Sequence, residues 1–191
     1  KTALAKTQPS LAAVMHHNLL VAMGRGDEAQ RFATTWMSAN PKDPALPTQV
    51  ADQALARKDY AAAEAGYRRV IEIAPNHAPA LNNLAWLLVR AKQPGALPLA
   101  EKAVLLQPLN AAMLDTLAAV LASEKRYDEA LVRQKRAVEL DPASDGARLR
   151  LAQLYAQTGK KGEARELLVA LERLGDKFAE QAEVKKLLST L

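Results

Sequence analysis

A chain of 191 residues with a net charge of +5 and no cysteine has neither disulfide bonds nor thiolate metal sites available to it. Apolar residues make up 49% of the chain and aromatic residues only 4%, and charged residues interrupt every apolar run well before the roughly 20 residues that a bilayer-spanning helix needs. Basic and acidic residues alternate along the same segments, as in Glu129, Arg136 and Glu139, which is typical of a solvated helix face and disfavours nucleic-acid binding.

The first segment, residues 1–9, is predicted to be the tail of a preceding helix that ends at Pro9, because proline is disfavoured inside a helix. The chain starts at Lys1 without a methionine or a signal-like apolar segment. We therefore expect either a removed leader or a fragment of a longer protein.

The rest of the chain is predicted to form five helical hairpins and one closing helix. The hairpins span residues 10–43, 44–77, 78–110, 111–144 and 145–178, and a capping helix spans residues 179–191. Each hairpin contains two apolar stripes at helical spacing, separated by a turn. Self-similarity of this length is typical of a solenoid of stacked hairpins, with a last helix that shields the final hairpin from water.

Small residues recur at two places in every hairpin, which we call the crossing positions. The place in the first helix of each hairpin holds His17, Ala51, Ala85, Ala118 and Ala152. The place in the second helix holds Ala29, Ala63, Ala96, Ala130 and Ala164, at intervals of 34, 33, 34 and 34 residues. Helix axes approach to about 8–10 Å where they cross, so a small side chain is required there.

These residues resemble the tetratricopeptide repeat. The matching positions are Leu84, Ala85, Leu117, Ala118, Tyr127, Leu151, Ala152, Tyr155, Tyr67 and the prolines Pro41, Pro75, Pro108 and Pro142. The resemblance covers Ser10 to Phe178. It implies an all-α, right-handed solenoid that binds a protein or peptide segment in a concave groove and performs no catalysis.

A narrower resemblance concerns the run Leu81–Leu88, the shortened third hairpin, the run Leu114–Leu117 and the closing segment at Phe178. These features look like the C-terminal part of repeat lipoproteins of bacterial exosortase (PEP-CTERM) and exopolysaccharide systems. The resemblance implies a scaffold in envelope polymer export or protein sorting. It also implies a periplasmic or outer-membrane-associated location, with the cytoplasm as the alternative.

Polar side chains are predicted to line the groove on the first helix of each hairpin. They are Asn18, Gln49, Asp52, Asn82, Asn83, Trp86, Arg90, Asp115, Thr116, Arg150, Gln153 and Gln157. Amides, hydroxyls and an indole bind a peptide through hydrogen bonds and stacking, and Trp86 is expected to be an exposed anchor. The alternative is an ordinary wet surface. The groove lacks the lysines of a dicarboxylate clamp, which disfavours chaperone C-termini as partners.

Two other functions stay open from the sequence. Self-association through the N-terminal end is expected if the first hairpin lacks a neighbour, which would leave apolar residues uncovered. These residues are Leu11, Val14, Leu19 and Phe32. The other alternative is direct binding of an anionic polysaccharide or nucleic acid through lysine and arginine side chains, which steep salt dependence would reveal.

No catalytic residue, metal ion or cofactor is expected. His16 and His17 are adjacent, so on a helix their side chains point about 100° apart and cannot serve one metal. His77 stands alone in a predicted loop. No carboxylate pair, serine–histidine pair or glycine-rich strand-to-helix turn can be assigned to one cleft.

Overall fold

The computed structural model describes residues 4–191, with side chains from Pro9 onward. Within this range the chain forms α-helices and one short 3-10 helix, Gly175–Lys177. The α-helices are α1 (Leu4–Ala22), α2 (Gly26–Ala39), α3 (Ala45–Ala56), α4 (Tyr60–Ile73), α5 (Ala78–Arg90), α6 (Ala96–Leu106), α7 (Ala111–Ser123), α8 (Tyr127–Leu140), α9 (Asp145–Gln157), α10 (Lys161–Glu172) and α11 (Gln181–Thr190). The prediction of an all-α chain of successive helical hairpins is confirmed.

Helix α1 differs from the prediction for residues 1–9, of which residues 1–3 lie outside the described range. The helix runs from Leu4 to Ala22 with Pro9 inside it, so the expected end of a preceding helix at Pro9 is wrong. A proline inside a helix removes one hydrogen bond to the preceding turn and crowds that turn's carbonyl. Pro9 is the sixth residue of α1, so this disturbance affects only the beginning of the helix.

The helices form two compact units that divide after Leu87, inside α5. In the first unit α1 packs against α2 and α3, α2 also contacts α3, and α3 packs against α4. In the second unit α7 contacts α6, α8 and α9, while α10 packs against both α9 and α11. Each unit is therefore built from neighbouring helical pairs.

The crossing positions are all buried, with exposed fractions between 0% and 6%. His17, the one member that is not alanine, is 4% exposed. Alanine is the side chain that lets two helix backbones approach closely without leaving a polar group in the contact. The repeated small residue thus has the structural role that its spacing predicts.

The turns inside the hairpins share one backbone feature that the sequence does not show. Two residues after the first helix of each hairpin ends, one residue has a positive φ angle; these residues are Gly24, Lys58, Lys92, Lys125 and Gly159. The turn of the third hairpin contains a second such residue, Gly95, with a φ angle of 92°. The three lysines have φ angles of 62°, 54° and 63°. A left-handed residue ends the first helix and lets the chain reverse, and a lysine in this conformation costs about 1 kcal/mol more than a glycine.

The last helix, α11, covers the apolar end of the second unit. Val184 is fully buried in a cluster with Leu149, Leu168 and Phe178. Leu187, Leu188 and Leu191 pack against this cluster and are partly buried, whereas Ala182 is exposed.

Helices α3 and α4 of the first unit approach closely where Gly66 faces Ala51. A Cβ atom on Gly66 would lie 2.7 Å from the Ala51 Cβ and 3.2 Å from its Cα. We expect Gly66→Ala to cost about 1–3 kcal/mol through overpacking, because the two backbones must separate. Replacing a helical glycine gains about 1 kcal/mol, so the free energy of unfolding is expected to fall by up to about 2 kcal/mol.

Gly162 provides the matched control for this substitution. It lies in α10, and a Cβ there would meet no atom within 4 Å. Gly162→Ala is expected to raise the free energy of unfolding by about 0.5–1 kcal/mol. Urea denaturation followed by circular dichroism measures both changes, and equal effects of the two substitutions would show that the contact with Ala51 is not limiting.

Candidate functional site

A cleft of about 200 Å³ opens between α7 and α9 in the second unit. It is lined by Ala118, Ala119, Ala122, Gln134, Arg150, Gln153, Leu154 and Gln157. Three of these residues, Arg150, Gln153 and Gln157, belong to the predicted groove. The cleft therefore joins a floor of small apolar side chains to a wall of amide and guanidinium groups.

The Arg150 side chain is held by Asp115, another predicted groove residue. Its Nε donates to Asp115 Oδ1 at 2.7 Å and its Nη2 donates to Asp115 Oδ2 at 2.5 Å. The two side chains are 41% and 17% exposed, respectively. A two-bond pair of this kind fixes both side chains and cancels their charges locally.

Gln134 of α8 also belongs to this hydrogen-bond network. Its Nε2 donates to Asp115 Oδ1 at 2.7 Å and to the Ala147 carbonyl at 2.9 Å. The side chain is 0% exposed, and its Oε1 is buried without a hydrogen-bond partner. A buried acceptor in this state costs about 1–3 kcal/mol. The sequence analysis missed Gln134, although a glutamine inside the apolar stripe of a helix was a visible signal.

Thr116 does not contribute to the cleft surface. It is 5% exposed, and its hydroxyl donates to the Ala112 carbonyl one turn earlier at 3.0 Å. The prediction that Thr116 lines a groove is therefore wrong, because its polar atom is used within α7 and its methyl group is packed inside.

In the first unit, predicted groove residues bond to one another through Tyr67. The Tyr67 hydroxyl donates to Asp52 Oδ1 at 2.6 Å and accepts a hydrogen bond from Asn83 Nδ2 at 3.0 Å. Asn82 Nδ2 donates to Asn83 Oδ1 at 3.2 Å. Burial and, next, the hydrogen bond to Asp52 raise the pKa of Tyr67 above its ordinary value, so this phenol remains a donor at neutral pH.

The remaining predicted groove residues are dispersed. Asn18 Oδ1 accepts a hydrogen bond from Gln53 Nε2 at 2.8 Å, and Gln49 is half-buried. Trp86 is also half-buried rather than exposed, with its ring 6.1 Å from that of Tyr60. Arg90 is exposed in the last turn of α5, beyond the division after Leu87.

A second cleft, of about 650 Å³, lies in the first unit among α1, α2 and α3. His17 and Val21 line it from α1, and Gln30, Gln53 and Arg57 contribute polar groups. Burial lowers the pKa of His17, and its Nδ1 has no hydrogen-bond partner. The sequence analysis placed His17 among the crossing positions and excluded it as a metal ligand, but did not assign it to a cleft.

The described residues, 4–191, offer neither a metal site nor a membrane-spanning helix. No three histidine, aspartate or glutamate side chains converge there in an arrangement that could hold a metal ion. No helix in the same part of the chain combines the length and the hydropathy needed to cross a bilayer.

Comparison with known proteins gives two kinds of match. Residues 121–191 match the family model described as "Tetratricopeptide repeat". A curated protein of Arabidopsis thaliana, "Inactive TPR repeat-containing thioredoxin TTL3", is 40% identical over 70 residues, which cover 37% of this chain and 10% of that protein. The matched part thus spans about a tenth of the length of that relative.

Solved structures match over much more of the chain. MamA from Desulfovibrio magneticus has a TM-score of 0.74 at 22% identity, over 87% of this chain and 97% of that chain. YrrB, described as a TPR protein with an unusual peptide-binding site, has a TM-score of 0.73 at 20% identity, over 97% and 98%. PilF of Pseudomonas aeruginosa has a TM-score of 0.73 at 16% identity, over 97% and 90%. Residues 121–191 carry the tetratricopeptide repeat, and the chain has the fold of a tetratricopeptide repeat protein.

Proposed function

We propose that this chain is a non-catalytic scaffold that binds an extended segment of another protein in the cleft between α7 and α9. The observation that carries the proposal is the position of Arg150, Gln153 and Gln157 around one apolar floor. Repeat solenoids use concave surfaces of this kind for recognition. YrrB, which has the same fold, is described as having a peptide-binding site.

The chemistry of the cleft suits a peptide main chain. Each glutamine amide offers two donors and one acceptor, so it can pair with both the N–H and the C=O group of an extended segment. The side chains project from helices, and the ion pair with Asp115 fixes Arg150. A preformed surface loses little conformational entropy when it binds.

The proposal also includes the cellular pathway in which the scaffold acts. We place the scaffold in envelope polymer export or protein sorting, at the periplasmic face or the outer membrane, with the cytoplasm as the alternative. The runs Leu81–Leu88 and Leu114–Leu117 support this placement through their resemblance to exosortase-system repeat proteins. Fractionation of the native cells tests it: recovery with the cytosol would remove the export pathway and leave the cleft untouched.

The cleft is tested with peptides selected from a displayed random heptapeptide library. We expect the double substitution Gln153→Ala and Gln157→Ala to lower the affinity for a selected peptide by about tenfold, because about 1.4 kcal/mol of hydrogen bonding to its main chain is lost. Isothermal titration calorimetry measures the affinity. The control is Gln93→Ala, which removes an exposed glutamine in the turn between α5 and α6. Equal affinities in all three proteins would exclude this cleft as the binding site.

A second candidate function, self-association, is favoured by the outer face of α1. Leu11, Met15, Leu19 and Met23 follow one another at four-residue steps and are 61%, 63%, 59% and 56% exposed, respectively. Of the residues expected from sequence to be partly uncovered, Leu11 and Leu19 are exposed, and Val14 and Phe32 are half-buried.

The charge of α1 supports a second copy of the chain as the occupant of this face. The helix has no acidic residue in its first turn and no basic residue in its last, and no charged residue occurs from Ser10 to Ala22. Two such faces therefore meet without like-charge repulsion, as a two-fold interface requires.

Sedimentation velocity tests this second candidate. We expect the chain to form dimers at micromolar concentration and the double substitution Met15→Glu and Leu19→Glu to make it monomeric, because four glutamates would face one another at the interface. Leu105→Glu is the matched control, since Leu105 is 81% exposed on α6. A monomeric unsubstituted chain, or loss of dimers in the control alone, would contradict self-association through α1.

A further inference from the structure

The cleft between α7 and α9 is electrically balanced, which restricts the side chains that it accepts. Arg150 would attract a carboxylate if it were unpaired, but both carboxylate oxygens of Asp115 accept hydrogen bonds from it. A charged side chain that enters the cleft would lose part of its hydration without gaining an unpaired opposite charge, and this loss is unfavourable. The cleft therefore favours an uncharged side chain.

The size of the cleft restricts the side chain further. Its volume of about 200 Å³ admits a single side chain, and its alanine floor suits a side chain with an apolar stem. Ala119 and Ala122 are half-buried in the lining, so a larger residue at either place would fill the space.

Two hydrogen-bonding groups of the lining are not used up within the protein. Gln134 Oε1 is a buried acceptor without a partner. Arg150 has five N–H donors, of which the bonds to Asp115 use two. Both residues donate to Asp115 Oδ1, so their side chains meet at this carboxylate.

We propose that this cleft holds the primary amide of an asparagine or glutamine side chain on an extended peptide. Gln134 is 0% exposed in the free protein, so on binding its side chain must turn to bring Oε1 to the cleft, where it accepts an N–H of the peptide amide. The oxygen of the peptide amide accepts a hydrogen bond from Arg150, and the methylene groups of the same side chain cover the alanine floor. This assignment rests on the proposed function, since it names the anchor that the bound protein segment carries.

The test uses the random heptapeptide library with the unsubstituted chain as bait. The expected result is enrichment of asparagine or glutamine at one peptide position. In synthetic peptides, replacing this residue by its isosteric acid (aspartate for asparagine, glutamate for glutamine) or by leucine is expected to weaken binding by at least about tenfold, because a buried polar group is then left unpaired. Calorimetry measures these affinities.

Two variants of the protein separate recognition from folding. Ala119→Leu fills the cleft and is expected to abolish binding of the enriched peptides. Gln134→Met removes the acceptor at similar length, so the amide and leucine peptides are expected to bind it with equal affinity. If Gln134 has a purely structural role, Gln134→Met would weaken the binding of both peptides by the same factor and leave the ratio of their affinities unchanged. That result would overturn the proposal.

The remaining outcomes distinguish the proposed amide anchor from the more general proposal that the cleft binds a peptide. Enrichment of acidic, basic or aromatic anchors, with binding lost in Ala119→Leu, would overturn the amide anchor and leave peptide binding in the cleft intact. If no peptide is enriched, or if binding is unaffected by Ala119→Leu, the cleft is not a peptide site and both proposals are wrong.

Discussion

Replacing Tyr67 by alanine is expected to lower the free energy of unfolding of the first unit by about 3–5 kcal/mol, the range for removing a buried aromatic ring. Tyr67 is 0% exposed, and its hydroxyl bonds to Asp52 of α3 and Asn83 of α5. The substitution therefore leaves a cavity and breaks the polar link between three helices. Guanidinium unfolding followed by tryptophan fluorescence reports on this unit, because the chain's two tryptophans, Trp36 and Trp86, both lie in it.

Tyr67→Phe separates the ring from its hydroxyl. The ring still fills the site, so the expected loss is only about 1 kcal/mol, the net value of a typical hydrogen bond. Asp52 is exposed, and water can replace the lost donor there. If the phenylalanine variant is destabilised as much as the alanine variant, the hydrogen bonds and not the packing of the ring hold these helices together.

The repeat interval predicts where a residue is buried better than it predicts what that residue does. Steps of 34, 33, 34 and 34 residues connect Ala33, Tyr67, Ala100, Gln134 and Leu168, and all five are at most 3% exposed. The equivalent place thus holds an alanine, a phenol, an amide or an aliphatic chain. Burial follows from the helical period, which every hairpin shares. The partner of each polar group depends on its particular neighbours.

The charged residues of the predicted groove also show that the sequence predicts the position of a residue better than its role. Asp115 and Arg150 were assigned as separate ligand groups, yet they form a two-bond ion pair between neighbouring helices. Their separation of 35 residues is close to one repeat, so the stacking of hairpins brings them together. The sequence places both on the first helix of a hairpin, and only the distance between their side chains shows that they neutralise each other.

Trp86 and Thr116 show why the prediction that a single residue lies on a surface can be wrong even where the helix face is predicted correctly. A helical period assigns a face, but a side chain at the edge of that face can lie against the neighbouring helix. Trp86 is half-buried near Tyr60, and Thr116 turns its hydroxyl back to the Ala112 carbonyl. Both outcomes depend on side-chain packing, whereas the crossing positions depend only on the helix backbones and were predictable.

Replacing Phe178 by alanine is expected to destabilise the end of the second unit by about 3–5 kcal/mol. Phe178 is 6% exposed and packs with Leu149, Leu171 and Val184. It follows the 3-10 helix that leads into α11, so its ring anchors the capping helix to the preceding hairpin. Because each element of a repeat array contacts only its neighbours, the loss is expected first as local opening of α11.

Amide hydrogen exchange measures this opening, since it resolves local from global unfolding. We expect exchange in residues 181–190 of Phe178→Ala to accelerate far more than exchange in α7, which does not contribute to the Phe178 cluster. Phe178→Leu is the control, because it keeps most of the apolar volume and is expected to cost less than about 1.5 kcal/mol. Uniform acceleration across α7, α9 and α11 would mean that the second unit unfolds as one body, and α11 would then be part of its core rather than a cap.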